Sequence, residues 1–266
     1  FLPATGWIEF EEVAPPPPPT TDVIIKKTAV GGDPDKRFDF SVNIQDEGVT
    51  ATIYRNGQPS DETVNLSNVE LGTGDELRLN NVTVGTQFTV TEKVPSGYTA
   101  KVSAQNASLT VTTVGGTVQA AVTVGQKPVI TFTNTYDTGT LTLQKIKRGK
   151  SPTEDPFQFE IVLDYPEGAY TAGVRAKIKP RGGEAYTPDW GLENDPTALY
   201  VDLSHKDSVT FYNLPCGTKY TIKEAHDGLA DVTYTIVTGR RSGTSGTGLT
   251  ASGTIGSACA SVTFTN

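Results

Sequence analysis

The sequence predicts an all-β protein, a sandwich or barrel of short strands. Three observations carry this. Val, Thr, Ile, Phe and Tyr dominate runs in which apolar and polar residues alternate, broken by Gly, Pro, Asn and Asp. Helical periodicity is almost absent. The chain also repeats itself. "NVTVGTQFTVTE" (81–92) matches "NLPCGTKYTIKE" (213–224) without a gap, and "TFTN" recurs at 131–134 and 263–266. Both matches are displaced by 132 positions (224 − 92 and 266 − 134).

Taken in order, residues 14–20, "APPPPPT", form a polyproline II spacer, because five prolines are stiff, extended and without N–H donors. Together with the head before it, this makes a leading segment, 1–21. A first domain, 22–137, holds strand candidates at 23–27, 38–44, 50–54, 76–80, 87–93, 98–103, 107–113, 117–124 and 129–134. "TYDTGT" (135–140) is a short boundary. A second domain, 138–266, has candidates at 141–145, 157–163, 174–179, 199–203, 208–212, 219–224, 232–237 and 260–266. "VIIKK" (23–27) matches "LTLQK" (141–145) at a displacement of only 118 (145 − 27), so the second half carries 14 extra residues (132 − 118), mostly within 164–200. Residues 239–257, rich in Gly, Ser and Thr, read as a long mobile hairpin.

Composition excludes several function classes. A chain of 266 residues is long enough for two domains that each bury a core. No apolar run approaches the roughly 20 residues a spanning helix needs. The net charge of −8 and the lack of a basic stripe argue against nucleic acid as a partner. Cys216 and Cys259 have no CxxC spacing, and His205 and His226 lack companions, so no metal site and no cofactor are expected. The chain begins at Phe1 and contains no Met, which reads as a processed or an artificially trimmed chain, from which any secretion signal would be lost to view.

Alternation puts polar residues on apolar faces. Val23, Ile25 and Lys27 share a face, as do Leu141, Leu143 and Lys145. Phe88 and Val90 align with Glu92, and Tyr220 and Ile222 with Glu224. Ile130 and Phe132 lead to Asn134, and Val262 and Phe264 to Asn266. Each half therefore offers one Lys, one Glu and one Asn to its interior. Unpaired burial would cost several kcal/mol per group. Low dielectric favours a neutral Lys amine, which is a nucleophile, and a protonated Glu, which can polarise the Asn carbonyl. Held in contact, the amine and carboxamide can exchange to a Lys–Asn amide with loss of ammonia, once per domain. The same residues can also form a hydrogen-bonded cluster with no bond made.

The motifs "VIIKKTAVGG", "VGTQFTVTEKVPSGY" and "ITFTNTYD", with "LTLQKIKRG", "LPCGTKYTIKE" and "VTFTN", resemble the collagen-adhesin B-type (Cna B-type) domains of Gram-positive surface proteins and pilins. The resemblance covers 22–266 and implies two tandem Ig-like β-sandwiches. It implies isopeptide bonds Lys27–Asn134 and Lys145–Asn266, with Glu92 and Glu224 as the catalytic carboxyls. The second half departs from the pattern at "AHDGL" (225–229), where the first has "KVPSGY". The implied function is a structural pilin or adhesin stalk subunit on the cell wall or pilus, outside the cell. Its partners would be sortase, other pilin subunits or the cell wall, and it would have no turnover chemistry. The alternative is an adhesin that contacts host extracellular matrix or glycan through 164–200 or 239–257.

Other signals leave alternatives open. Cys216 lies eight residues before Glu224 and Cys259 seven before Asn266, so a disulfide in an oxidising compartment and two free thiols are both compatible with the spacing. "LPATG" (Leu2, Pro3, Ala4, Thr5, Gly6) fits the sortase pattern but stands at the front, with no hydrophobic segment and basic tail after it. Sequons at Asn65, Asn81 and Asn106 are what chance gives in an Asn- and Thr-rich chain.

Overall fold

The computed structural model describes residues 16–149, 156–190, 192, 198–225, 231–240 and 243–266. The LPATG motif and His226 lie outside them. The described residues contain no α-helix, and no helix long and apolar enough to cross a membrane. The chain is all-β, with two Ig-like sandwiches in succession. By internal contacts it groups into two compact units. One takes the described residues up to Lys27 with Asp39–Glu92 and Val102–Phe132, and the other takes those of Thr28–Phe38, Lys93–Lys101 and Thr133–Asn266.

In the first half nine strands share one sheet: β1 (Thr20–Val30), β2 (Arg37–Ile44), β3 (Thr50–Arg55), β4 (Gln58–Pro59), β5 (Val69–Gly72), β6 (Glu76–Thr83), β7 (Gln87–Lys93), β8 (Tyr98–Val114) and β9 (Thr117–Tyr136). Their order is β4-β3-β6-β1-β9-β7-β2-β5, with β8 on β9. The sequence divides each of the last two strands in two, whereas both are continuous. Residues that read as breaks take left-handed backbone within the paired strands without ending them. Asn106 and Lys127 take left-handed φ values of 56° and 50°, and Asn106 Nδ2 donates to the Lys127 carbonyl at 3.4 Å. Gly125 permits the close approach of the two strands here, since a Cβ there would collide with the Asn106 carbonyl oxygen. Gly125→Ala is therefore expected to cost about 1–3 kcal/mol, read as a lower thermal midpoint.

Among the described residues the second half has ten strands: β10 (Thr138–Ile146), β11 (Phe157–Asp164), β12 (Arg175–Lys179), β13 (Leu199–Leu203), β14 (Ser208–Pro215), β15 (Lys219–Glu224), β16 (Thr233–Thr238), β17 (Thr244–Thr247), β18 (Thr250–Thr254) and β19 (Ala260–Thr265). They form sheets β12-β14-β10-β19-β16-β17 and β13-β11-β15-β18. Between the sheets lie Leu143, Phe159, Ile161, Phe211, Ile222, Val262 and Phe264, all inaccessible to solvent. The mobile hairpin expected at 239–257 is not what forms. β17 pairs with β16 in one sheet and β18 with β15 in the other, so this stretch carries the chain between layers. Buried Ala251 and Ile255 anchor it.

The repeated "NVTVGT" and "NLPCGT" segments have a conformational cause. Asn81 and Asn213 adopt φ of 61° and 57°, where Asn is tolerated better than bulkier residues, and Gly85 and Gly217 adopt 92° and 93°. The Asn sits where the register slips, between Thr21 and Val23 in the first half and between Gly139 and Leu141 in the second. The slip brings each first strand to its partner with the Lys on the inner face.

A buried lysine, glutamate and asparagine in each half

In the second half the first and last strands, β10 and β19, lie side by side and parallel, with Lys145 opposite Phe264. Glu224 ends β15, opposite Phe159 of β11. The sheets thus deliver Lys145 and Glu224 to one place, both fully buried. Lys145 Nζ donates to Glu224 Oε1 at 2.7 Å, and Asn266 Nδ2 donates to the same oxygen at 2.7 Å. Glu224 Oε2 and Asn266 Oδ1 accept no hydrogen bond from the described residues. A half-turn of the carboxamide would present its Oδ1 to the carboxyl.

Aromatic rings keep water from this cluster. Phe159 and Phe264 pack edge to face with centroids 5.4 Å apart, and Lys145 Nζ lies 3.9 Å from the Phe157 ring centroid. That ring face and Glu224 both favour a charged amine. Burial outweighs them and, helped by the nearby Lys147 charge, holds the Lys145 pKa below the ordinary lysine value.

The first half repeats the buried lysine–glutamate pair. Glu92 stands opposite Phe40 across the β2–β7 ladder, and Phe40 packs edge to face on Phe132 at 5.2 Å. Lys27 Nζ is 3.0 Å from Glu92 Oε1, with neither side chain exposed. Burial lowers the Lys27 pKa from 10.5 to about 8, against the raising effect of Glu92. Asn134, fully buried, lies on β9, the sheet neighbour of β1.

In chemical terms the second half places a buried amine, whose protonated form burial disfavours, on the same carboxyl oxygen as a carboxamide. An amine and a carboxamide held on one carboxyl can serve acyl transfer from Asn to Lys, with the Glu able to carry the proton. The remaining sequence signals fall elsewhere. Cys216 is half-buried and Cys259 exposed, and both are free thiols. They lie toward the same end of the second half, because Pro215 pairs with Thr138 and Ala260 with Leu141. His205 Nδ1 accepts the Lys147 N–H at 2.9 Å, a structural role. Among the described residues no group of three or more His, Cys, Asp or Glu side chains could hold a metal.

Sequence reasoning passed over Asp75 and Asp207, whose backbones hold the two lysines. Their signal was the same displacement of 132 that aligns "GDELRL" (74–79) with "KDSVTF" (206–211).

A family profile described as "Domain of unknown function (DUF7601)" matches the chain twice, at 21–136 and 139–266. No curated protein sequence matches. Among solved structures, the fold is similar to the major pilin from Streptococcus pyogenes, at 15% identity and TM-score 0.57, covering 93% of this chain and 97% of that one. It is likewise similar to the Streptococcus pyogenes major pilin proteins T-13, at 17% identity and TM-score 0.56 over 93% and 96% of the two chains, and T3.2, at 18% and 0.56 over 93% and 97%.

Proposed function

The chain belongs, through both its halves, to the DUF7601 family of domains of unknown function, and on that premise we propose that it is a structural subunit of a pilus or adhesin stalk on a Gram-positive cell surface, stiffened by self-made isopeptide bonds. The observation that carries this reading is the shared oxygen: the nitrogens of Lys145 and Asn266 both sit 2.7 Å from Glu224 Oε1. The pilin-like fold over 93% of the chain supports the same role.

The chemistry runs once per half and balances without a co-reactant. Lys145 passes a proton to Glu224 and becomes a neutral amine. Its Nζ attacks Asn266 Cγ, and the carboxyl proton stabilises the oxygen of the tetrahedral intermediate. The Nζ–Cγ bond forms, the Cγ–Nδ2 bond breaks, and the second proton from Nζ leaves through Glu224 on the departing ammonia. Lys27, Glu92 and Asn134 take the same roles in the first half. There is no turnover, because the nucleophile is consumed. The Leu2–Gly6 motif makes sortase a candidate partner, with other subunits or the cell wall as the acceptor.

The test is the intact mass of the reduced protein. Two bonds predict a mass lower than the sequence mass by two ammonias, with branched peptides joining residues 27 to 134 and 145 to 266. A mass equal to the sequence mass overturns the proposal. Comparing reduced with unreduced protein decides in the same run whether Cys216 and Cys259 pair outside the cell.

A further inference from the structure

We infer that Asp75 and Asp207 are positioning residues for the crosslink, each locking the turn that holds its lysine's backbone. The inference rests on the proposed Lys–Asn chemistry. In the first half the Lys27 N–H donates to the Asp75 carbonyl at 3.0 Å, and the Gly74 N–H donates to the Lys27 carbonyl at 2.9 Å. In the second, the Lys145 N–H donates to the Asp207 carbonyl at 3.1 Å, and the Lys206 N–H donates to the Lys145 carbonyl at 2.7 Å. The lysine is thus gripped through both backbone groups by two consecutive residues of one turn.

The aspartate carboxylate closes that turn on itself. Asp75 Oδ2 accepts the Gly72 N–H at 2.8 Å, and Asp207 Oδ2 accepts the Ser204 N–H at 2.8 Å. Each carboxylate also takes one donor from elsewhere in its half. The Arg55 guanidinium bonds Asp75, and the Arg181 backbone N–H donates to Asp207 Oδ1 at 2.6 Å. The two halves recruit different outside donors to the same carboxylate position, so what recurs is the locked turn. The residue before each aspartate is left-handed, Gly74 at 86° and Lys206 at 73°. A lysine accepts that strained backbone where its counterpart is glycine, which indicates that the turn geometry is imposed.

The reason for such a lock lies in the lysine side chain. Its four-carbon stem is flexible, so the amine is only as well placed as its backbone. Misplacement of reacting groups by about 1 Å can cost about 100-fold in rate. Replacing either aspartate by alanine is expected to slow ammonia loss in its own half by about 10–100-fold and to leave the other half at its normal rate. Each molecule carries its own control.

The experiment uses cell-free synthesis of the full chain, stopped at intervals. Peptide mapping follows each bond, and circular dichroism establishes that the variants fold. Slowing confined to the substituted half in folded Asp75→Ala and Asp207→Ala supports the inference, and wild-type rates overturn it. If an alanine variant fails to fold, Asp75→Asn and Asp207→Asn decide. Their side-chain oxygen keeps one acceptor, so intermediate rates support the positioning role and unchanged rates overturn it. Absence of ammonia loss from the wild-type chain would instead overturn the crosslink reading, and this inference with it.

Discussion

Glu224→Gln is expected to abolish crosslinking in the second half on the timescale of an expression experiment while the first half still loses its ammonia. The carboxyl touches both nitrogens, and an amide can neither take the lysine proton nor return it to the leaving group. Loss of a general acid–base typically costs about 10²–10⁴ in rate, here with proximity intact. Glu92→Gln should do the same in the first half. Intact mass reads the result directly, as one ammonia lost instead of two. The pH dependence sharpens the test. Below about pH 8 Lys27 keeps the proton that it can pass to Glu92. The reactive arrangement, neutral amine and protonated carboxyl, contains that same single proton. The rate should therefore be level just below pH 8 and fall about tenfold per unit above it, as the pair gives its proton up. Timing ammonia loss as never-folded, chemically assembled chain is refolded on either side of pH 8 gives this profile. A rate that climbs toward pH 8 instead would mean that the carboxyl delivers no proton.

Asn134→Ala is expected to lower stability by roughly 4–5 kcal/mol, the chain-entropy value of a covalent loop of about 100 residues, and the midpoint of the first half by about 15–25 °C. It should also expose a pH dependence that the crosslinked protein lacks. Free Lys27 has a pKa of about 8 when folded, against the ordinary 10.5. Between those values the unfolded chain binds more protons, so stability rises with pH across the window, by about 3 kcal/mol in all. The cost of burying a charged Lys27 is present in full below pH 8 and gone above 10.5. An amide-linked Lys27 does not titrate, and the wild-type protein should show no such rise. Chemical denaturation of both proteins at several pH values checks the size and the sign.

Much of the site was legible because strands alternate with a period of two. A polar residue two steps beyond a pair of apolar ones must face inward, and Lys27, Glu92, Asn134, Lys145 and Glu224 are all fully or almost fully buried. The fold class followed from the same periodicity. Strand continuity was less legible, since a left-handed kink inside a strand and a break between strands use the same residues, as at Asn106 and Gly125. β17 and β18 were hidden because Gly, Ser and Thr carry little apolar signal. β17 pairs with the strand just before it, β16, whereas β18 pairs with β15 across two intervening strands, a long-range ladder that local pattern does not reveal. Asn81 and Asn106 match glycosylation sequons, yet their left-handed backbones already account for the choice of Asn. Asp75 and Asp207 were hidden for another reason, because an aspartate before a strand reads as ordinary turn chemistry until its hydrogen bonds are known.

The parallel adjacency of β10 and β19 bears on how this architecture can diversify. An amide between Lys145 and Asn266 would let a load pass from one strand straight into its neighbour, leaving the chain between them as a slack appendage. Closure entropy grows only slowly with length, so extra residues there carry little penalty. The second half already holds 14 more than the first. New surface loops could be grafted into the enclosed stretch without rebuilding the part that bears weight.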